Sequence, residues 1–252
     1  MKPYLFDWMI NGQRIRVPSF GVFLATAFST AYFLSLKNAQ KLRIDTKHVE
    51  RLFLLILVSS IFGGRLFHVF FEEPSFYWNH PSKIVAVWEG GFTFYGAMLS
   101  SVAAIFCYCR IKRLAFLNLL DLIATSTLLS IAIGRIGCFL AGCCWGKTCS
   151  LPWAVAHGTE SVHPTQLYES IGTFFLFIFC QKNLFTRTFF GSIGLKALLG
   201  YSILRFFVEF FRGDVYRGFI LNGLMSYSQM ISVLLAVTAA TFLWILRPKN
   251  SS

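Results

Sequence analysis

Residues 116–140 read FLNLLDLIATSTLLSIAIGRIGCFL, and this stretch decides the fold class. A helix that crosses a bilayer needs roughly 20 mostly apolar residues, and this run is long enough. It lacks the period-two alternation of a membrane β-strand, which favours a helix that satisfies its own backbone in lipid. Six further apolar windows lie near residues 17–36, 52–71, 93–110, 167–181, 189–211 and 224–246. We therefore expect an all-α, polytopic membrane protein with about seven transmembrane helices.

The composition of the whole chain agrees with this interpretation. Of 252 residues, 56% are hydrophobic and 13% are charged, and the mean hydropathy is +0.61. Soluble domains have about 45–50% apolar and about 25% charged residues. The 29 Phe exclude a disordered chain, and seven Cys are too dilute for a small disulfide scaffold. We expect a single integral-membrane domain over 1–252, with its helical membrane region over 17–246.

The chain is basic, with a formal net charge of +12. In a soluble protein this would suggest nucleic acid, but in a membrane protein Lys and Arg belong in cytoplasmic loops, so we expect no nucleic-acid partner. Twelve basic residues lie in segments 37–51, 110–113, 182–188 and 247–249. The seven on the other side are Lys2, Arg14, Arg16, Lys83, Lys147, Arg212 and Arg217. The positive-inside rule then places the N-terminus outside and the C-terminus in the cytoplasm. The start, MKPYLFDWMI, lacks the features of a removable signal peptide, so we expect the spans themselves to anchor the chain.

Three arginines, Arg65, Arg135 and Arg205, lie inside apolar windows. An arginine at mid-membrane costs at least about 2.5–3.5 kcal/mol, and such residues are usually functional. Glu209 follows Arg205 by four residues, so the two share a helix face and can pair. Snorkelling to an interface and a structural ion pair are the alternatives for each arginine.

Glycines accompany these charges, in Gly63-Gly64, in Gly90-Gly91, at Gly96 and from Gly134 to Gly146. Small residues permit close packing of helices, and they also permit a bulky ligand to approach the backbone. The adjoining segments 72–92 and 141–166, on the outer side, are rich in Trp, His and Pro. Because Arg stays charged and binds phosphate with two parallel hydrogen bonds, we predict an outward-facing site for an anionic group.

The stretch GRIGCFLAGCCWG (134–146) resembles the signature of the prolipoprotein diacylglyceryl transferase family, which reads G-R-x-G-N-F-x-N-x-E-x-x-G. Further stretches resemble that family's motifs in its order: FGGRLFHVFFE (62–72), WEGGFTFYG (88–96), HPTQLYE (163–169), YSILRFFVEFFRG (201–213) and SQMIS (228–232). The chain departs from the pattern at five positions. Cys138, Ala141 and Cys143 stand where the family has Asn, Asn and Glu, Tyr95 stands for a His, and Phe20 stands for a Tyr.

The resemblance implies a multi-pass enzyme of the bacterial inner membrane, with its site toward the periplasmic leaflet and no metal or cofactor. It would move the diacylglyceryl group of phosphatidylglycerol to the lipobox cysteine thiol of a preprolipoprotein, with glycerol-1-phosphate as the leaving group. The resemblance implies Arg135 and Arg205 as catalytic residues, with Tyr95 at the position of the family's His. The substrate-binding residues that it implies are Arg135, Tyr201, Glu209, Arg212, Arg65, Gly91, Gly96 and Gly146.

Two alternatives stay open from the sequence. The departures from the motif allow a divergent or inactive paralogue, and intramembrane arginines also suit a transporter or binding protein for an anionic lipid or peptide.

Some site residues also have two interpretations. We interpret His163 as part of a structural helix cap rather than as a general base, because Pro164 restricts its backbone. Small-residue packing accounts for Cys138. A disulfide among Cys143, Cys144 and Cys149 is the alternative to free thiols, and their spacing does not match a zinc-binding ladder.

Overall fold

The computed structural model describes residues 2–10, 13–213, 218–220 and 224–248. The helices are α1 (Ser19–Lys41), α2 (Thr46–Phe67), α3 (Pro74–Asn79), α4 (Phe94–Lys112), α5 (Phe116–Ala141), α6 (Thr165–Asn183), α7 (Ser192–Phe211) and α8 (Tyr227–Ile245). The strands pair as antiparallel hairpins, β1 (Tyr4–Ile10) with β2 (Gln13–Pro18), β3 (Val155–His157) with β4 (Glu160–Val162), and β5 (Phe219–Ile220) with β6 (Met225–Ser226). Arg217 and Lys249, which entered the charge comparison, lie outside the described residues.

Four helices in the described ranges are long and apolar enough to cross a membrane. They are Ser19–Lys41, Thr46–Glu72 (α2 with the π-helical turn that follows it), Phe116–Ala141 and Tyr227–Ile245. A helical membrane protein is thereby confirmed. The remaining long helices α4, α6 and α7 have 19, 19 and 20 residues, and whether they cross the membrane, like the orientation of the termini, stays a prediction.

Polar side chains fix where several helices begin. Asp45 caps α2 by accepting a hydrogen bond from the Lys47 N–H at 2.9 Å. Ser226 and Gln229 form a reciprocal capping box at the start of α8. These contacts satisfy backbone donors that a helix leaves unpaired in its first turn. The sequence thus sets these helix boundaries locally.

The chain divides into two compact units. The larger unit comprises residues 1–35 and 117–252, and the smaller unit comprises residues 36–116. In the larger unit, small hydroxyl side chains join neighbouring helices: Ser35 donates to Ser126 Oγ at 2.8 Å, Ser130 to the Ala27 carbonyl at 2.8 Å and Ser170 to the Ala132 carbonyl at 2.7 Å. Such interhelical hydrogen bonds hold helices together where lipid supplies no hydrophobic driving force.

Glycines bring α2 and α4 close together in the smaller unit. A Cβ on Gly63 would lie 2.7 Å from the Gly96 carbonyl oxygen, and a Cβ on Gly96 would collide with Phe67. Ser100 Oγ adds a hydrogen bond to the Ser59 carbonyl at 2.7 Å. Helix packing through small residues therefore accounts for Gly63 and Gly96.

Candidate active site

Glu169 lies at the meeting point of three side chains in the larger unit. It sits in the second turn of α6, and its side chain is only 2% exposed. Arg135 from α5 reaches its Oε1 at 2.9 Å, and Arg205 from α7 reaches its Oε2 at 3.5 Å. The Tyr201 hydroxyl donates to Oε1 at 2.7 Å. Two buried guanidinium groups from separate helices therefore converge on one carboxylate.

Arg205 also binds a second buried carboxylate, that of Glu209. The two lie one helical turn apart in α7, and Arg205 Nη2 is 2.8 Å from Glu209 Oε2. This is the ion pair that the spacing of four residues predicts. Ser226 Oγ, the cap of α8, donates to Glu209 Oε1 at 2.9 Å. The contact ties the start of α8 to the face of α7 that carries Arg205, and Arg205 is held between Glu169 and Glu209.

The exposed fractions of these side chains are graded. Arg135 and Arg205 are 20% and 14% exposed, whereas Glu169 and Glu209 are 2% and 1% exposed. The guanidinium groups therefore supply most of the accessible surface of the cluster, and that surface is cationic. Each guanidinium carries five N–H donors in a fixed fork. The cluster therefore presents preplaced cationic donors to an anion from the accessible side.

The loop after α5 borders this cluster and packs tightly. The Gly146 N–H donates to the His163 carbonyl at 3.0 Å, and Gly146 forms a backbone bridge with Arg212. A Cβ on Gly146 would lie 2.5 Å from His163 Cβ and 2.7 Å from the Phe211 carbonyl oxygen. Arg212 is 8% exposed at the end of α7. The close approach of three backbone segments requires glycine at 146, and it places Arg212 beside the loop.

His163 lies just before α6, which begins at Thr165. Its backbone N–H donates to the Lys147 carbonyl at 3.0 Å, and its Nδ1 lies 3.1 Å from the Tyr168 hydroxyl. Its ring packs against Phe211 with centroids 5.2 Å apart. These contacts agree with a structural role, in which His163 joins the loop to the start of α6.

Four cysteines lie at or beyond the end of α5, namely Cys138, Cys143, Cys144 and Cys149, and all seven cysteines of the chain are free thiols. The alternative of a disulfide among Cys143, Cys144 and Cys149 is therefore not what the structure contains. Within the described part of the chain, no group of three or more His, Cys, Asp or Glu side chains is arranged to hold a metal ion.

The guanidinium group of Arg65, in the smaller unit, donates hydrogen bonds to backbone carbonyl oxygens of the protein. Its Nε donates to the Ile84 carbonyl at 3.0 Å, its Nη1 to the carbonyls of Gly90 and Gly91, and its Nη2 to that of Lys83. The guanidinium also lies over the Tyr77 ring, 5.1 Å from its centroid. Arg65 is 5% exposed. Arg65 thus holds the backbone of the segment 83–91 in place.

Gly91 and Tyr95 follow that segment. Gly91 has a φ of +72°, and a Cβ there would lie 2.5 Å from Arg65 Nη1, so close approach to Arg65 requires a glycine. Tyr95, in the first turn of α4, is 48% exposed. Both residues lie in the smaller unit.

Glu169, the last residue of HPTQLYE, is not among the site residues predicted from the sequence. The signal was present, since Glu169 is an acidic residue at the start of the apolar window 167–181. A carboxylate in such a window needs a buried partner, and Arg135 and Arg205 were the available cations. Asp121, in the window 116–140, was missed in the same way.

Comparison with known proteins places these features in a family. A family model described as prolipoprotein diacylglyceryl transferase matches residues 8–245. Three similar proteins are each named phosphatidylglycerol--prolipoprotein diacylglyceryl transferase. One from Bordetella avium is 31% identical over 243 residues, covering 92% of this chain and 91% of that protein. One from Clostridium tetani is 31% identical over 240 residues (92% and 93%), and one from Methylibium petroleiphilum is 34% identical over 239 residues (90% and 87%).

Proposed function

Because the chain belongs to the prolipoprotein diacylglyceryl transferase family, we propose that it transfers the diacylglyceryl group of phosphatidylglycerol to the lipobox cysteine thiol of preprolipoproteins. The observation that carries this proposal is the graded exposure of the charged cluster. Arg135 and Arg205 are partly exposed, whereas the two carboxylates that bind them are buried. A phosphodiester headgroup has the charge and the oxygen geometry that two guanidinium forks bind.

The reaction is a substitution at carbon. The thiolate of the substrate peptide attacks the glyceryl carbon that bears the phosphate, a C–S bond forms, and the C–O bond to phosphate breaks. The electron pair of that bond leaves with glycerol-1-phosphate, so negative charge grows on the phosphate in the transition state. Arg135 and Arg205 stabilise this charge, and preplaced donors of this kind are worth about 100–1000-fold in rate each. The thiol proton passes to an acceptor through the hydroxyl of Tyr201, and Tyr95 is proposed as a catalytic residue on the separate ground that it stands at the position of the family's His.

Glu169 is a positioning residue in this proposal. It does not need to touch the lipid, because it fixes the two arginines at one distance from each other. Glu209 orients Arg205 from the opposite side, and Arg212 guides the headgroup or the departing product beside Gly146. Displacement of a catalytic group by about 1 Å can lower a rate about 100-fold. We therefore expect substitutions of these supporting residues to lower kcat.

For residues of the smaller unit, we propose substrate contacts on the ground of their match to the family's motifs. Arg65 contributes through the segment 83–91 that it holds. Gly91 and Gly96 act in this proposal through packing, since Gly91 admits Arg65 and Gly96 admits Gly63 and Phe67, and Tyr95 stands where the family has a His.

The lipid chains need an apolar path beside the headgroup site. A groove of about 200 Å³ opens between α7 and α8 and is lined by Ser202, Ile203, Phe206, Phe207, Ser232, Val233, Ala236 and Val237. Ser202 directly follows Tyr201 in α7. We propose that this groove receives one acyl chain while the headgroup binds to Arg135 and Arg205.

The proposed enzyme crosses the bacterial inner membrane seven times, with its N-terminus outside, its C-terminus in the cytoplasm and the whole chain acting as one domain. What supports this is the position of the basic segments along the chain. They begin at or just after the C-terminal ends of α1, α4, α6 and α8, and the other helix junctions are poorer in Lys and Arg. Basic residues at every second junction agree with alternating crossings under the positive-inside rule.

The test is a transfer assay with purified protein. The protein is placed in nanodiscs that contain phosphatidylglycerol, and a lipobox peptide is added. We expect a diacylglyceryl thioether on the peptide, seen by mass spectrometry, and release of glycerol-1-phosphate. A peptide with Ser in place of the lipobox Cys and nanodiscs of phosphatidylcholine are the controls. A transporter or an inactive paralogue would bind phosphatidylglycerol without either product, and that result would refute the proposal.

A further inference from the structure

The N-terminal hairpin of β1 and β2 has two faces of different chemistry. Successive residues of a strand alternate between the two faces of a sheet, and residues directly opposite each other on paired strands share a face. Phe6 lies opposite Val17, and Trp8 follows Phe6 by two residues in the same strand. Phe6, Trp8 and Val17 therefore share one face of the hairpin, which we call the apolar face.

The opposite face of the hairpin is charged. It carries Asp7, Met9, Arg14 and Arg16, which alternate along the strands with the residues of the apolar face. Arg14 donates two hydrogen bonds to the Asp7 carboxylate, at 2.7 and 2.8 Å, and Arg16 Nε lies 3.6 Å from an oxygen of the same carboxylate. Two arginines and one aspartate leave this face with a net positive charge.

The described part of the chain leaves about half of the apolar face uncovered. Phe6 is 49% exposed and Trp8 is 54% exposed, and their rings stack on each other with centroids 4.9 Å apart. A two-stranded hairpin is at best marginally stable in water unless its apolar face packs against another surface. The apolar face therefore calls for an occupant other than the described residues.

The hairpin is joined directly to a helix that can cross a membrane. β2 ends at Pro18, and α1, one of the four helices long and apolar enough to span a bilayer, begins at Ser19. The Ser19 N–H donates to the Pro3 carbonyl at 2.9 Å, and Ser19 Oγ donates to the Lys2 carbonyl. Both ends of the hairpin thus meet the first residue of α1. Because the polar layer of a bilayer is only about 5–8 Å thick on each side, the hairpin begins within or beside that layer.

We propose that the apolar face of the hairpin lies on the phospholipid bilayer that α1 crosses, and that Arg14 and Arg16 on the opposite face bind the phosphates of anionic headgroups. Tryptophan is enriched at the boundary between acyl chains and headgroups. Buried apolar area and attraction to anionic lipids together determine how strongly an amphipathic element binds at this boundary. The proposal depends on α1 as a membrane span and does not depend on the proposed transferase activity.

Position and charge favour lipid over protein as the occupant of the apolar face. Lipid surrounds a membrane span along its apolar length, so it is present close to the junction of β2 and α1. The net positive charge of the opposite face complements anionic headgroups, which attract Lys and Arg near the membrane surface. A second copy of this chain, with a formal net charge of +12, lacks that complementarity. The experiment distinguishes lipid from a protein occupant.

The experiment measures which quencher reaches Trp8 in the full chain. The protein is placed in nanodiscs of phosphatidylcholine and phosphatidylglycerol, and the emission of Trp8 is the difference between the unaltered chain and Trp8→Phe. We expect lipids brominated on their acyl chains to remove most of this emission. Dissolved acrylamide should quench it less than it quenches free N-acetyltryptophanamide. Quenching by acrylamide without quenching by brominated lipid would place the face in water, and protection from both quenchers would show that protein covers it. Either result overturns the proposal.

A matched control moves the reporter by one residue to the opposite face. Met9 follows Trp8 in β1 and is 69% exposed, so Met9→Trp in the Trp8→Phe background places the indole on the charged face. Its emission, measured against Trp8→Phe alone, should be quenched by acrylamide and much less by brominated lipid. Equal quenching by brominated lipid at the two positions would contradict the orientation proposed for the hairpin. A circular dichroism spectrum confirms that each variant is folded.

A second comparison tests the arginines. With equal fractions of brominated lipid, brominated phosphatidylglycerol should quench Trp8 more strongly than brominated phosphatidylcholine, because the charged face gathers anionic headgroups. Arg16→Gln should reduce this excess. Lys41→Gln is the matched control, since it removes a positive charge from the other end of α1, and it should leave the excess unchanged. Equal quenching by the two lipids in the unaltered chain would overturn the binding of anionic headgroups.

Discussion

Asp121 and Glu169 are both buried carboxylates of the larger unit, yet they bind different kinds of donor. Asp121 accepts hydrogen bonds from the backbone N–H groups of Gly191, Ile193 and Gly194 at 2.8–2.9 Å, and from Arg187 at 3.2 Å. Among the described residues, the Glu169 carboxylate binds the side chains of Arg135, Arg205 and Tyr201.

This difference is why we assign a structural role to Asp121 and propose a functional role for Glu169. Backbone N–H groups at the start of α7 cannot leave without unfolding the helix, so Asp121 serves as its remote cap. The donors of Glu169 sit on side chains that are partly exposed and that retain further N–H groups. The first arrangement fixes a helix in place. The second holds two cations where a ligand can reach them.

The largest effect should follow from removing the structural carboxylate. Asp121→Ala leaves three helix N–H groups and the Arg187 guanidinium without their acceptor, and breaking a buried pair costs about 3–5 kcal/mol. We expect the free energy of unfolding in an SDS titration to fall by that amount. The transfer rate per folded molecule should stay unchanged, and a rate loss at unaltered stability would contradict the structural role.

The next largest effect concerns the arginines at Glu169. Arg135→Ala and Arg205→Ala should each lower kcat about 100–1000-fold, equivalent to about 2.7–4 kcal/mol, because each removes a preplaced donor at the developing charge. Arg187→Ala is the matched control, since it also removes a guanidinium from a buried carboxylate. It should reduce stability and keep kcat, as measured with the lipobox peptide. Equal losses of kcat in all three variants would contradict the distinction between the arginines at Glu169 and the arginine at Asp121.

Glu169→Gln tests positioning with little change in shape. The amide still accepts from Tyr201 but no longer holds Arg135 and Arg205 by charge, so the two guanidinium groups separate. We expect kcat to fall about 10–100-fold from misplacement, while KM for phosphatidylglycerol does not rise because the site becomes more cationic. A rise in KM with an unchanged kcat would show instead that Glu169 acts only on lipid binding.

Tyr201→Phe should give the smallest effect. It removes one hydrogen bond to a charged acceptor, worth about 1.5 kcal/mol at the lower end of the usual range, or about tenfold in kcat. Tyr168→Phe is a control that removes a hydroxyl bound to His163 and Trp153 instead, and it should change kcat little. If the two variants behaved alike, the hydroxyl of Tyr201 would have no special relation to Glu169.

Local chemistry made a large part of the molecule predictable. A long apolar run satisfies its own backbone only as a helix in lipid, so the helical membrane class followed directly from stretches such as 116–140. The pair Arg205–Glu209 followed from helix geometry, because residues four apart lie on one face. The capping box of Ser226 and Gln229 likewise depends on neighbours in sequence.

Contacts between distant residues were not predictable in this way. Arg65 and Arg135 look alike in the sequence, as single arginines among glycines and apolar residues. In the structure, Arg65 donates hydrogen bonds to backbone carbonyls of the segment 83–91, whereas Arg135 forms an ion pair with Glu169. No local rule separates these outcomes, since the partner is chosen by which loop or helix packs alongside.

The sequence by itself determined that the chain forms membrane helices, that arginines lie within them, and that their motifs follow the order of one family. Only the tertiary structure decided which charged side chains pair with one another. Helix periodicity fixes a contact within one or two turns, whereas the meeting of Arg135, Glu169 and Arg205 depends on how α5, α6 and α7 pack. That packing is set by many small side chains at once, so it has no signature at any single position.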